Sequence, residues 1–232
     1  MRGSNSTVFT PRSKLGGVIG AYDAAHDQCH RALAYPDEGQ PARHVPTLTL
    51  LTLIHVARGQ LTEAAHTAAR GIELFDRAGK LYPDWWEALP FPLAQGELAL
   101  AQGNLAQAEE YVAYLETEFN RLRLRHLWPS VLFLRARIAL VKEDKAAAYR
   151  DLQAAVIVSD KIGSHRELQG VCWTLGQLES EQGHLDAAND WHDRAYAEIA
   201  FALEQIATPQ WRETFRARAD VQAILSARQL TR

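Results

Sequence analysis

The sequence has little that would cross-link the chain covalently or draw it to a charged surface. Only two of its 232 residues are cysteine, and Cys29 and Cys172 could form at most one disulfide, which a chain of this length does not need. The formal net charge is −3 with histidine neutral, and the basic residues are scattered rather than clustered. This distribution argues against nucleic acid as a partner and against a polybasic membrane-binding surface.

Long apolar runs are also missing. The most apolar stretch, residues 45–57, is interrupted by Thr47, Thr49, Thr52 and His55, so it falls short of the roughly 20 residues that a membrane-spanning helix needs. The amino terminus lacks the apolar core of a signal peptide. We therefore expect a cytoplasmic protein with no membrane partner, a location that also suits the low cysteine content.

The ends of the chain differ in character from its middle. The first four residues, MRGS, resemble the leader of an expression vector, which leaves open whether the chain is part of a longer protein. We expect residues 1–13 to be a poorly ordered leader. Residues 14–207 are expected to form a repeat array, and residues 208–232 a capping helix and tail.

One short pattern recurs at a nearly constant interval. Gly59, Gly103 and Gly183 are each followed two residues later by leucine and five residues later by alanine. Glu143 occupies the same place in the gap between the last two, and Gly20 is an earlier member. Successive turn positions are 39, 44, 40 and 40 residues apart. A regular interval of this length indicates a repeat architecture.

Each turn separates two segments of helical periodicity. After Gly103, apolar residues recur at Leu105, Ala108, Val112 and Leu115, the spacing of one helix face. The unit is therefore a helical hairpin, in which the turn residue ends the first helix and the alanine lets the second helix approach closely. First helices are predicted at 46–58, 89–102, 129–142 and 167–182, second helices at 21–34, 61–78, 105–125, 145–162 and 185–206, and a last helix at 209–228.

Proline supports this frame, and one segment opposes it. Pro46, Pro90, Pro92 and Pro129 fall near predicted starts of first helices, where a missing N–H costs least. The run 47–50 alternates threonine and leucine and by itself favours a strand. We predict a helix there because the repeat frame covers a longer stretch of chain.

The Gly-x-Leu-x-x-Ala signature, with Gly96 and Gly176 seven residues before their turns, resembles the tetratricopeptide repeat over residues 14–207. The unit is about 40 residues rather than the 34 typical of that family. This length, with the tail 199–225, is similar to the C-terminal repeat regions of bacterial signal-transduction NTPases and of maltose-regulon-type transcription activators. The fold expected is an all-α, right-handed α-solenoid of about five helical hairpins with a C-terminal closing helix.

Motifs of the common enzymes are absent from the sequence. It contains no Gly-x4-Gly-Lys-Ser/Thr loop, His-Glu-x-x-His, nucleophile elbow or Cys-x-x-Cys. The glycines at 16, 17 and 20 lack a preceding strand and are interpreted as the first turn. We therefore predict no catalytic residues and no cofactor.

Two clusters carry ligand types that suit metals. His26, Cys29 and His30 lie within little more than one helical turn, but a structural zinc site would need a fourth ligand. We interpret them as ordinary helix surface and predict no metal site. The aspartates at 186, 190 and 193 complement the start of a helix and are expected to face water.

A binding groove is predicted along the first helices, because equivalent residues of stacked hairpins form rows. Aromatic rings beside an arginine are typical of a peptide or ligand groove. The alternative is that Phe133 and Trp173 are core residues. The two predicted rows, ten and six residues before each turn, are Thr49, Leu93, Phe133 and Trp173, and Leu53, Glu97, Arg137 and Gln177.

The function expected from the resemblance is a non-catalytic interaction or effector-sensing module in signal transduction or regulation. It would bind a protein or peptide segment, or a small effector, on its concave face. One alternative is a structural module that self-associates into a homo-oligomer. Another is an enzyme that uses an acidic inner cavity. Trp85 and Trp86, in the connection where the repeat is longest, are expected to pack over hairpin ends rather than to form a contact surface.

Overall fold

The computed structural model describes residues 21–36, 40–81 and 88–230. The predicted leader, the glycine-rich turn at 16–20 and the connection that holds Trp85 and Trp86 lie outside these residues. Within them, all regular structure is helical and no strand is present, which confirms the all-α prediction. A short 3-10 turn at Pro41–Arg43 precedes the second helix. The helices are α1 Tyr22–Leu33, α2 Val45–Ala57, α3 Leu61–Leu81, α4 Pro90–Ala101, α5 Leu105–Leu122, α6 Trp128–Val141, α7 Lys145–Ile162, α8 Leu168–Glu181, α9 Leu185–Gln205, α10 Pro209–Arg216 and α11 Ala219–Leu230.

The alternating segment 47–50 lies within helix α2, as the repeat frame predicted. Threonine is a poor helix former partly because its hydroxyl competes for backbone groups. In α2 the buried Thr49 hydroxyl donates to the Val45 carbonyl at 2.8 Å, so it is satisfied inside the helix. Prolines occupy the first turns of α2, α4 and α6, where no intrahelical N–H is needed.

The four described hairpin turns share one backbone geometry. Gly59, Gly103, Glu143 and Gly183 all have positive φ, between 61° and 82°. In each turn the following N–H donates to the carbonyl four residues before the turn position, at 2.9 Å. A hydrogen bond of this span identifies a Schellman motif at the end of the first helix. The predicted turn positions are confirmed, including Glu143, where the sequence has no glycine.

The side chain that follows each turn is used in one of two ways. Asn104 and Asp144 follow the turns before α5 and α7, and their Oδ1 atoms accept from the N–H groups three residues later, at 3.3 and 2.9 Å. At the other two turns the equivalent residue bonds back to the first helix instead. Gln60 contacts His55 at 3.0 Å, and His184 contacts Glu179 at 2.8 Å. Which of the two arrangements forms depends on the residue four positions before the turn. At the two capped turns this residue is alanine, which offers no polar side chain to bond.

The repeat alanines lie in the interior, as predicted for the closest approach of paired helices. At most 2% of each is exposed. A larger side chain at these positions would have to displace the neighbouring helix, because protein interiors are close-packed. The alanines are Ala64, Ala108, Ala148 and Ala188.

The chain divides into two compact units, Met1–Leu115 and Glu116–Arg232. In the first unit, α2 packs against α1, α3 and α4, and α3 also contacts α4. Its core holds an α2–α3–α4 cluster that contains Leu48, Leu74 and Phe91. In the second unit, α6 packs against α7, α7 against α8 and α8 against α9, and α11 contacts both α9 and α10.

The carboxyl-terminal segment differs from the prediction. We expected one helix over 209–228, and the structure divides it into α10 and α11 around residues 217–218. No glycine or proline marks this break. Instead, the Gln222 amide donates to the Arg216 carbonyl at the end of α10, at 2.6 Å. The break lets Phe215, Val221 and Ile224 all become buried.

The helices of the described residues include none with the length and apolarity required to cross a bilayer.

Candidate functional site

The first two residues of each predicted groove row lie on α2 and α4, in the amino-terminal unit. Thr49 is buried and bonded to its own helix, so it presents no polar group to a ligand. Leu53, one turn later, is half-buried. On α4, Leu93 and Glu97 are both half-buried, between neighbours that are fully buried.

In the carboxyl-terminal unit, Phe133 and Arg137 lie one turn apart on α6 and contact each other. The Arg137 guanidinium carbon is 5.7 Å from the centre of the Phe133 ring, a cation–π distance. The edge of the ring faces Gly170 of α8, where an added Cβ would come within 3.1 Å of it. Phe133 is therefore wedged between two first helices while part of its ring stays exposed.

Trp173 and Gln177 occupy the equivalent positions of α8. Trp173 is half-buried and Gln177 is exposed. The indole stacks on the imidazole of His192 in α9, with ring centroids 4.6 Å apart. Gly176 makes room for that imidazole, since a Cβ there would lie 2.3 Å from it. Burial lowers the pKa of His192 below its usual value, which keeps the stacked ring neutral at pH 7.

Apart from the buried Thr49 and the exposed Gln177, the predicted groove residues are half-buried. Their immediate neighbours on α6, Leu132 and Leu134, are buried, whereas Phe133 and Arg137 keep part of their surface open. The two predicted rows therefore lie on the more accessible side of α4, α6 and α8. The structure brings together Phe133 with Arg137.

An ion network that the sequence did not reveal joins residues of α5, α6 and α7 within the carboxyl-terminal unit. Arg135 of α6 pairs with Asp151 of α7 through two hydrogen bonds, at 2.5 and 2.7 Å, and with Glu116 of α5. Hydrogen bonding to Asp151 is the largest cause of the raised pKa of Arg135. The network ties α6 to its neighbours on the side away from Phe133, and we interpret it as structural.

A second polar cluster lies at the turn between α8 and α9. The Tyr149 hydroxyl donates to Glu179, whose other oxygen contacts His184 Nδ1 at 2.8 Å. The hydrogen bond from Tyr149, followed by that from His184, holds the pKa of the buried Glu179 below its usual value. These groups serve the hairpin turn, and the repeat-equivalent pair His55–Gln60 is built in the same place.

The metal-ligand types found in the sequence do not converge as a set. Cys29 is buried among Ala25, Leu51 and Ile54, where burial raises its pKa to about 12, whereas His26 and His30 turn their rings toward each other. The aspartates at 186, 190 and 193 are exposed. Over residues 21–36, 40–81 and 88–230, no group of three or more His, Cys, Asp or Glu side chains is placed to hold a metal ion.

A cavity of about 370 Å³ lies elsewhere in the amino-terminal unit. It opens between the end of α1 and helix α3, beside Leu33, His44, Arg70 and Glu73. None of the predicted groove residues lines it. Neither a family model nor a curated protein matches the chain.

Proposed function

We propose that the chain is a non-catalytic helical-repeat module of the tetratricopeptide type, arranged as a right-handed α-solenoid, that binds a peptide segment on the face formed by its first helices. The observation that supports this proposal is a group of partly exposed aromatic and polar side chains on α6 and α8. There an arginine lies over one aromatic ring, and a second aromatic ring lies at the equivalent position of the next first helix.

The chemistry of this face suits an extended peptide. Half-buried rings such as Phe133 and Trp173 offer apolar area whose orientation is already fixed by packing, so little side-chain entropy is lost on binding. Arg137 and Gln177 follow one turn later on the same helices and can bond peptide carbonyls or a carboxylate. Aromatic anchors with adjacent arginine are the residues that dominate binding energy at protein interfaces.

The proposed role is in signal transduction or regulation, in the cytoplasm, as the resemblance to the repeat regions of bacterial regulators implies. A small effector could use the same face if it combined an apolar group with an anion. Self-association is the structural alternative, in which a second copy of the chain covers these residues.

Selection from a displayed peptide library tests the proposal. We expect the wild-type protein to enrich a consistent motif, and Arg137→Ala to weaken binding of the selected peptide at least tenfold. Arg150→Ala is the matched control, because Arg150 is exposed on the second helix α7. Enrichment of no motif, or equal losses in both variants, would contradict the proposal. Sedimentation that shows a dimer disrupted by Arg137→Ala would favour self-association instead.

A further inference from the structure

Two histidine side chains on α1 lie close together on one face of the helix, and the packing of the hairpins does not explain their contact. His26 and His30 are one turn apart, and their Nε2 atoms approach to 3.1 Å. The ring centroids are 4.3 Å apart with the planes tilted by 57°. His30 is exposed and the His26 side chain is 28% exposed, so the pair lies at the surface of α1.

We propose that His26 and His30 form a two-histidine clamp for a divalent transition metal ion of the Zn²⁺, Ni²⁺ and Cu²⁺ class, bound at the surface of α1. Imidazole nitrogen suits these ions, and histidines at i and i+4 on one helix face are a recurrent metal-binding pair. The site lies apart from the proposed peptide-binding face and does not depend on that function.

The distance between the two nitrogens fits one shared ion. With metal–nitrogen bonds of about 2.0 to 2.1 Å, two ligands at the tetrahedral angle are about 3.3 to 3.4 Å apart, and two ligands at a right angle are about 2.8 to 3.0 Å apart. The observed 3.1 Å lies between these values. Small rotations of either side chain therefore bring both nitrogens to a metal without moving the helix.

A neighbouring carboxylate favours the His26 tautomer that a metal ligand needs. Asp27 Oδ1 lies 3.7 Å from His26 Nδ1, a carboxylate that favours a hydrogen on Nδ1 and leaves Nε2 as the free electron pair, as the outer carboxylates of histidine–metal sites do. With that tautomer of His26, the 3.1 Å contact in the metal-free protein is a hydrogen bond from His30 Nε2–H to His26 Nε2. On metal binding that hydrogen moves to His30 Nδ1, and both Nε2 atoms bind the ion.

Two neighbouring features favour the clamp: His55 packs against His26, and an ion pair reduces the positive charge near the site. The buried His55 ring packs edge-on against His26, with centroids 5.5 Å apart, and its own Nδ1 contacts Gln60 at 3.0 Å. Arg58, whose charge acts on His26, is paired with Asp23, which reduces its repulsion of a bound cation. Over the described residues, no third His, Cys, Asp or Glu side chain completes the site, so water or an incoming ligand would supply the remaining coordination positions.

Titration calorimetry with Zn²⁺ and Ni²⁺ tests this site, and Mg²⁺ is the negative control because it prefers oxygen ligands. We expect one equivalent of either transition metal to bind and no binding of Mg²⁺. His30→Gln and His26→Gln should each weaken binding at least tenfold, since one imidazole alone cannot chelate. His66→Gln is the matched control, because His66 is exposed on α3 and has no histidine one turn away on either side.

A melting experiment provides the second readout. Binding to the folded state alone raises the melting temperature, so Zn²⁺ should raise it for wild type and His66→Gln but not for His30→Gln. Wild-type affinity retained in His30→Gln would overturn the proposal. An equal loss in all three variants would also overturn it, because that result would mean scattered weak binding to the nine histidines of the chain.

Discussion

Glu143 occupies a backbone conformation that favours glycine. Its φ is 61°, while the equivalent residues Gly59, Gly103 and Gly183 take φ of 70°, 75° and 82°. A Cβ in the left-handed region crowds the following carbonyl, at a cost of roughly 1 kcal/mol. The cost is partly offset because glycine loses more backbone freedom on folding.

Glu143→Gly should therefore stabilise the protein by about 0.5 to 1 kcal/mol, seen as a higher urea midpoint in a two-state denaturation experiment. Gly103→Ala is the mirror control and should lower the midpoint by a similar amount. A lower midpoint for Glu143→Gly would show that the glutamate side chain contributes more to the turn than its backbone strain removes.

Glu179 links folding to pH. Its folded pKa lies below its usual value because of the hydrogen bonds from Tyr149 and His184. A carboxyl group whose pKa is lowered by folding stabilises the protein at pH values above its unfolded-state pKa of about 4.3. This stabilisation is lost as the pH falls through the folded-state pKa. Glu179→Gln should cost about 1 to 2 kcal/mol at pH 7 and less at pH 3, because the carboxylate loses its advantage over the amide as it becomes protonated. Urea titrations at both pH values measure the difference, and an equal cost at both would exclude an ionic origin.

At the scale of the element, apolar periodicity predicted where helices occur, and the turn residues predicted where they end. Helix α7 begins and ends at the predicted residues 145 and 162, because Asp144 caps its start and Gly163, with φ of 65°, ends it. The α10–α11 break could not be predicted, since it depends on a side-chain bond from Gln222 and on which apolar residues reach the interior.

Ala108 tests the hairpin geometry. It is fully buried near the start of α5, so Ala108→Leu should destabilise the protein by about 1 to 3 kcal/mol through overpacking. Ala101 is exposed at the end of α4, and Ala101→Leu should change stability by less than about 0.5 kcal/mol. Chemical denaturation compares the two variants. Equal midpoints would show that the alanine does not set the approach of paired helices.

At the scale of the whole molecule, the repeat period predicted the order of the helices and the pairing of α2 with α3, of α6 with α7 and of α8 with α9. It could not predict how far the groove residues are buried, because that depends on partners far away in sequence. Phe133 is half-covered because Gly170 admits its ring, and Trp173 because Gly176 admits His192. The sequence singled out Gly176 for its place in the repeat, but neither Gly170 nor His192 carried any signal of this role.

The central claim, that the first helices present a recognition face rather than a packed interior, is tested most directly at Trp173. We predict that Trp173→Ala weakens a selected peptide at least tenfold while it costs about 1 to 3 kcal/mol of stability, less than truncation of a fully buried tryptophan. Ile157→Ala, at an apolar residue 67% exposed on second helix α7, should leave both unchanged. Unaltered peptide affinity in folded Trp173→Ala, together with a stability loss of about 4 kcal/mol or more, would contradict the claim.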